Sequence, residues 1–158
     1  MENRFRLLID GRLVEGADTL PVIDPATGEV FAHAPRADAA QLNAAVAAGQ
    51  RAFPAWSRLG YAGRRAAIES LADAIEVRFE AFARLLTLEQ GKPLDQARFE
   101  VGGTIAGLRY FAGLEIAPHI IRDTPTERIT EYRNPLGVVA AITPWNFPLI
   151  LLVVKLAP

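Results

Sequence analysis

The 158-residue chain is 51% hydrophobic and 22% charged, the balance of an ordinary soluble globular chain rather than a disordered or fibrous one. Seventeen Lys and Arg against eighteen Asp and Glu leave a formal charge of -1 with no basic stripe, so nucleic-acid binding gets no support. The chain has no cysteine, which excludes disulfides and thiolate metal sites, and the start Met1-Glu2-Asn3-Arg4-Phe5-Arg6 lacks the apolar core of a secretory signal; a cytoplasmic location is the expectation.

Phe5, Leu7 and Ile9 alternate along the first segment, and Asp10-Gly11 supplies a hairpin turn before Leu13 and Val14. A second antiparallel pair is predicted over 21–23 and 29–32, joined by the longer turn Asp24-Pro25-Ala26-Thr27-Gly28. After Pro35, Asp38-Ala39-Ala40-Gln41 can form a capping box, and Leu42, Val46, Gly49 and Phe53 recur at helical spacing. A first helix is therefore expected to end near Phe53, with Trp56 and Ser57 in a loop. From Ala62 onward Ile68, Leu71, Ile75, Phe79, Phe82 and Leu86 lie on one face of a single long helix, which Gly91-Lys92-Pro93 ends. Pro93 opens another helix that buries Ala97, Val101, Ile105, Leu108 and Ala112 on one side. It sets Gly103 and Gly107 four apart where a neighbour or a ligand can approach closely, close helix packing being the preferred reading.

Residues 116–134 are polar, contain Pro118 and Pro125, and read as an extended arm with a weak strand signal over 129–132. Residues 137–142 form an apolar run expected to be a strand covered on both faces, as in a parallel sheet. The turn Thr143-Pro144-Trp145-Asn146-Phe147-Pro148 follows, and Pro148 opens a helix reaching Pro158. The 18 uncharged residues of 137–154 are long enough for a membrane span, but Pro144, Asn146 and Pro148 at the centre argue against one. Strand, turn and helix make the first unit of a doubly wound fold, in which ligands bind beyond the carboxyl ends of the strands. No further strands follow it before Pro158.

The segment Pro135-Leu136-Gly137-Val138-Val139-Ala140-Ala141-Ile142-Thr143-Pro144-Trp145-Asn146-Phe147-Pro148 resembles the signature leading into the catalytic centre of NAD(P)-dependent aldehyde dehydrogenases. Leu88-Glu89-Gln90-Gly91-Lys92-Pro93 is similar to a second family motif, and Asp24-Pro25-Ala26-Thr27-Gly28-Glu29 with Ala52-Phe53-Pro54-Ala55-Trp56 to a third. The resemblance implies an α/β fold: amino-terminal β-hairpins and long helices, then the first strand and helix of an incomplete Rossmann-like domain. The implied divisions are antiparallel strands of the oligomerisation region over 1–35 and the helical part of the cofactor-binding domain over 36–117. An extended arm of the oligomerisation region over 118–135 and the truncated Rossmann-like start over 136–158 complete them.

The family oxidises an aldehyde to a carboxylic acid: a cysteine thiolate attacks, hydride passes to NAD or NADP, and a glutamate-assisted water releases the product. By matching position Asn146 would be the oxyanion donor, where one amide is worth roughly 2.7–4 kcal/mol; the competing reading is a cap for the following helix. The resemblance sets Ile142, Thr143, Pro144 and Trp145 at the nicotinamide end of the cofactor, and Phe147, Ile150, Leu151 and Val154 along the substrate tunnel. Lys155 would lie near the catalytic centre; alternatively it complements the helix dipole. Glu89 and Lys92 are expected to be solvated or capping groups, and His33 and His119 give no evidence of a metal site.

With no cysteine the chain is expected to be inactive alone. The family's general-base glutamate and the lysine-bearing strand that holds the cofactor's adenosine ribose also fall outside this segment, so tight NAD(P) binding is not expected. The partners implied are an aldehyde in the complete enzyme and further copies of the chain, joined through strands and arm into a homo-oligomer, with no nucleic acid or membrane. The alternative is a non-catalytic truncated chain acting as an oligomerisation or interaction module, and a partial gene product is a third possibility.

Overall fold

A computed structural model describes residues 5–158. Asp10 and Gly11 take positive φ values of 53° and 72°, as a type I′ turn requires, and join β1 (Leu7–Ile9) to β2 (Arg12–Val14). The second hairpin pairs β3 (Asp18–Ile23) with β4 (Val30–Arg36), several residues longer than the pattern predicts. Its loop is closed by hydrogen bonds from the Asp24 amide to Glu29 O (2.9 Å) and from the Gly28 amide to Asp24 O (2.8 Å). The expected capping box is present at α1 (Ala39–Arg58): Asp38 Oδ1 accepts from the Gln41 amide at 2.7 Å, and Gln41 Oε1 accepts from the Asp38 amide at 3.3 Å. The same glutamine donates to Glu15 O at 2.8 Å, tying the strands to the helix.

Two boundaries differ from expectation. α1 runs through Pro54 to Arg58, so Trp56 and Ser57 are helical. A proline inside a helix removes one donor, and the remaining bonds still carry the chain through. Gly60, at φ 67°, then turns it into α2 (Gly60–Glu76). The single long helix is in fact two, because α2 stops at Glu76 and α3 (Phe79–Gln90) starts after Val77 and Arg78. No glycine or proline marks that break, and Ile75, Phe79 and Phe82 keep the apolar phase across it.

The core forms around α4 (Leu94–Ala112), whose buried face carries Ala97, Val101, Ile105, Leu108 and Ala112 as predicted. Ala72 of α2, and Ala83 and Leu86 of α3, pack against it, the two alanines being small residues that let helix axes approach. α5 (Pro148–Leu156) crosses the other side of α4 with Val153 and the following Ala157 buried. Gly103 and Gly107 accept it: a Cβ on them would lie 3.0 Å from Ile150 Cδ1 and 3.3 Å from Val153 Cγ1. Close helix packing is therefore what the glycine pair serves.

Arg98 of α4 binds both carboxylate oxygens of Glu80 on α3 at 2.8 and 2.9 Å, and that bidentate bond, with the guanidinium charge, holds the Glu80 carboxyl below the usual range. A depressed folded pKa stabilises above the unfolded pKa and loses that contribution as pH falls through the folded value. Glu80→Gln is therefore expected to cost stability at neutral pH, and that cost is expected to shrink as pH falls and the carboxylate protonates; urea titrations across the acid range would check this, and a cost independent of pH would contradict it.

The arm holds an antiparallel hairpin, β5 (His119–Asp123) with β6 (Arg128–Glu131), so the weak strand signal is real and has a partner. Tyr61 fixes the start of the arm, its hydroxyl donating to Ile116 O at 2.5 Å. The expected strand over 137–142 is absent: all three sheets among the described residues are two-stranded antiparallel hairpins, and none includes this segment. A strand is defined by a neighbour's hydrogen bonds, and an apolar run supplies only one side of that pairing. The segment instead lies without regular structure near α1, with Val138 packed 3.3 Å from where a Cβ of Gly49 would be. Among the described residues no helix is long and apolar enough to cross a membrane. Among the described residues the fold is mixed α/β, with five helices and three small antiparallel sheets.

Candidate active site

Three segments distant in sequence meet beside the carboxyl end of α3. Gly91 caps that helix in the left-handed region, φ 73°, with its amide donating to Thr87 O at 2.8 Å. The reversal places Gln90 before it and Lys92 after it toward the same turn, 143–148. Gln90 Nε2 donates to Trp145 O at 2.6 Å, and Lys92 Nζ donates to Asn146 O at 2.9 Å. The loop between β3 and β4 is seated on Gly91, where a Cβ would come within 2.7 Å of Pro25 Cγ. Pro25, Glu89, Gln90, Thr143, Pro144, Trp145 and Pro148 enclose a cleft of about 410 Å³.

Lys92 is not the solvated group that its place after a helix suggests. Its side chain is only 12% exposed and forms an ion pair with the fully buried Glu100 of α4. The ammonium also lies 4.4 Å from the centre of the Phe147 ring. The other oxygen of Glu100 accepts from the Leu149 amide at 2.9 Å. Phe147 is the N-cap of α5 and has no side chain that can cap, so Glu100 supplies the acceptor from α4. Glu89 is exposed at the rim of the cleft.

Asn146 does not cap α5: the N-cap is Phe147, and the side-chain acceptor for the first turn is Glu100. Its side chain is exposed and makes no hydrogen bond among the described residues. Ile142 and Trp145 are each 83% exposed, and Thr143 and Pro144 are exposed beside them, lining one wall of the cleft with Trp145. Leu149 and Val153 of α5 and Ala157 just after it face the core, and Ile150 packs on Gly103. Phe147 and Val154 are exposed and Leu151 is half-buried on the adjoining face. Lys155 is exposed in the last turn. The turn thus brings Ile142, Thr143, Pro144, Trp145, Asn146 and Phe147 together, whereas Ile150 is engaged in packing and Lys155 stands apart in the last turn of α5.

A model of the aldehyde dehydrogenase family matches residues 13–158. The chain belongs to this family. It is similar to glutarate-semialdehyde dehydrogenase of Pseudomonas aeruginosa, 36% identical over 98% of this chain and 33% of that protein. Among solved structures, PnpE from a Pseudomonas species is 40% identical with a TM-score of 0.89, covering 98% of this chain and 33% of that one. Betaine aldehyde dehydrogenase from Staphylococcus aureus, solved with NAD+, is 33% identical with a TM-score of 0.88 over 96% of this chain and 32% of that one. This aldehyde dehydrogenase chain spans about a third of the length of the curated relatives it matches.

The sequence reading of this aldehyde dehydrogenase segment missed Gln90, Lys92 and Glu100 as parts of the site. A signal for Glu100 was present: it stands three residues after Ala97 and four before Thr104, on the buried stripe of α4. A charge on an apolar stripe demands a partner. Nothing in the local pattern identifies Lys92 as that partner.

Proposed function

We propose that this segment supplies the oxyanion-binding turn and the nicotinamide-facing wall of an enzyme that oxidises aldehydes to carboxylic acids with NAD(P). The observation that carries the reading is that the backbone around Asn146 is anchored by Gln90 and Lys92 while its side-chain amide stays uncommitted. An amide carried on an anchored backbone and not engaged elsewhere is available to stabilise a developing oxyanion. Phe147, Leu151 and Val154 offer apolar surface for the body of an aldehyde beside it, with Ile150 behind them and Lys155 one turn beyond Leu151.

The residues present fit one end of the cofactor. Ile142 and Trp145 expose apolar faces suited to a ring, and peptide groups of 143–145 border the cleft. No Lys or Arg lines that cleft, so phosphates would find no charge there. When bound, NAD(P) accepts the hydride; Thr143, Pro144 and Trp145 would orient its nicotinamide. The proposed divisions are 1–35 and 118–135 for oligomerisation, 36–117 for the helical part of cofactor binding, and 136–158 for the start of the Rossmann-like domain.

The 158 residues contain no cysteine, so the thiolate must come from outside them. The purified chain is therefore expected to give no aldehyde-dependent NAD(P)H signal at 340 nm, a standard optical readout, and only weak NAD(P) binding by calorimetry. Turnover above the level of a matched host-protein blank would overturn the need for a cysteine.

A second reading, an interaction module, draws on exposed apolar surface: Leu136 is 94% exposed, and Ile120 and Ile121 are exposed on β5. The homo-oligomer would use this surface and the hairpins. Light scattering tests it, and a monomer at all concentrations would count against it.

A further inference from the structure

The two peptide planes that flank the Asn146 α-carbon are each held by one side chain. The plane between Trp145 and Asn146 is held through Trp145 O, which accepts from Gln90 Nε2 at 2.6 Å. The plane between Asn146 and Phe147 is held through Asn146 O, which accepts from Lys92 Nζ at 2.9 Å. Peptide groups are rigid and planar, so fixing both planes fixes φ and ψ of the residue between them. The direction of its Cα–Cβ bond is then set, and only the side-chain torsions of Asn146 stay open.

Both donors come from one reversal of the chain. Gln90 and Lys92 flank Gly91, whose left-handed φ of 73° turns the backbone between them. Lys92 is in turn held by Glu100, which is fully buried and whose second oxygen takes the Leu149 amide at 2.9 Å. One carboxylate therefore fixes the ammonium on one side of Phe147 and Pro148 and the first turn of α5 on the other. A buried carboxylate is stable only while its partners stay in place, so the Lys92 anchor and the first turn of α5 hold or fail together.

We propose that Gln90, Lys92 and Glu100 are positioning residues for Asn146, which aim its amide by fixing the backbone on both sides of it. The proposal rests on the reading of Asn146 as oxyanion donor for its consequence in catalysis, but the aiming itself is a property of this chain. A misplacement of about 1 Å at a reacting group can cost on the order of 100-fold in rate, which is the scale the anchors protect.

The test uses the full chain, labelled with 15N, as Lys92→Met and Gln90→Leu variants, each removing one anchor. In each variant the two side-chain amide protons of Asn146 are expected to change chemical shift. The Leu149 and Leu151 amides are expected to exchange with solvent at least about 10-fold faster in Lys92→Met, while amides in the centre of α4 keep their rates. Unchanged Asn146 signals in both variants would overturn the proposal, as would uniformly faster exchange across all helices, the mark of global destabilisation. Should Lys92→Met fail to fold, Gln90→Leu still decides through the Asn146 signals. In an aldehyde-oxidising protein carrying the segment, the same substitutions are expected to lower kcat about 10-fold or more with little change in KM. If they move the Asn146 signals while Asn146→Ala leaves kcat unchanged, the positioning stands and the oxyanion reading falls. If Asn146→Ala lowers kcat and the anchor variants leave the signals in place, the reverse holds.

Discussion

Asn146→Ala, made in an aldehyde-oxidising protein that carries this segment, is expected to lower kcat about 100- to 1000-fold, the cost of losing one oxyanion donor. KM for the aldehyde should change little, because the amide meets full negative charge only after the carbonyl carbon has been attacked. Asn146→Asp should be at least as damaging, since a carboxylate accepts hydrogen bonds and repels the developing oxyanion. Folding should be unaffected in both: the side chain is exposed and caps no helix, so its removal strands no partner. Steady-state kinetics with circular dichroism as the folding control would decide the matter. A decrease in kcat of less than about threefold would remove Asn146 from the role that the 2.7–4 kcal/mol figure describes.

Gly91→Ala is the substitution expected to cost most for its size. At φ 73° an alanine pays on the order of 1–2 kcal/mol for the left-handed conformation alone. Its Cβ would also stand 2.7 Å from Pro25 Cγ, an atom of a rigid ring in a loop held by its own hydrogen bonds. Either the loop lifts away or α3 unwinds its last turn, and both move Gln90 and Lys92. The expected loss is about 2 kcal/mol or more by urea denaturation. Gly103→Ala is the natural control: its Cβ would meet the far end of Ile150 at 3.0 Å, which can rotate away. A helical Gly→Ala change gains about 0.5–1 kcal/mol in propensity, so this variant should be near neutral. Equal losses in the two variants would show that the conformation of Gly91 is not what matters.

Elements whose signals are local were legible in the sequence. Asp10-Gly11 specifies its turn through two residues that tolerate positive φ, Asp38 and Gln41 specify a helix start, and Gly91 specifies a stop. The buried face of α4 followed from periodicity, and so did the closeness of its neighbour at Gly103 and Gly107. The break at Val77 was not legible, because no residue there forbids a helix and the apolar phase continues through it. The end expected near Phe53 erred in the opposite sense, as the donor lost at Pro54 did not end α1. The strand expected over 137–142 failed because an apolar run states only a need for cover, and its pairing depends on other segments.

The turn at Asn146 was identifiable through its resemblance to a family motif, yet what holds it was not. Lys92 precedes α4 and so lies outside the helical repeat that carries Glu100, and Leu149 lies 49 residues beyond Glu100, a distance at which no periodicity connects residues. The three segments noted separately as motifs share a purpose only in three dimensions. Pro25 rests on Gly91, and Gly91 lets Gln90 and Lys92 reach Trp145 and Asn146.

The hairpin of β5 and β6 lies inside the connection between α4 and α5, and this bears on the entropy of closing that connection. Docking α5 on α4 requires the ends of a long loop to meet, and each doubling of a flexible loop costs about 0.6 kcal/mol. By pairing with itself, the hairpin shortens the free chain that must be closed, and Tyr61 pins one end through Ile116. An exposed surface element thereby reduces the chain entropy lost when Leu149 reaches Glu100.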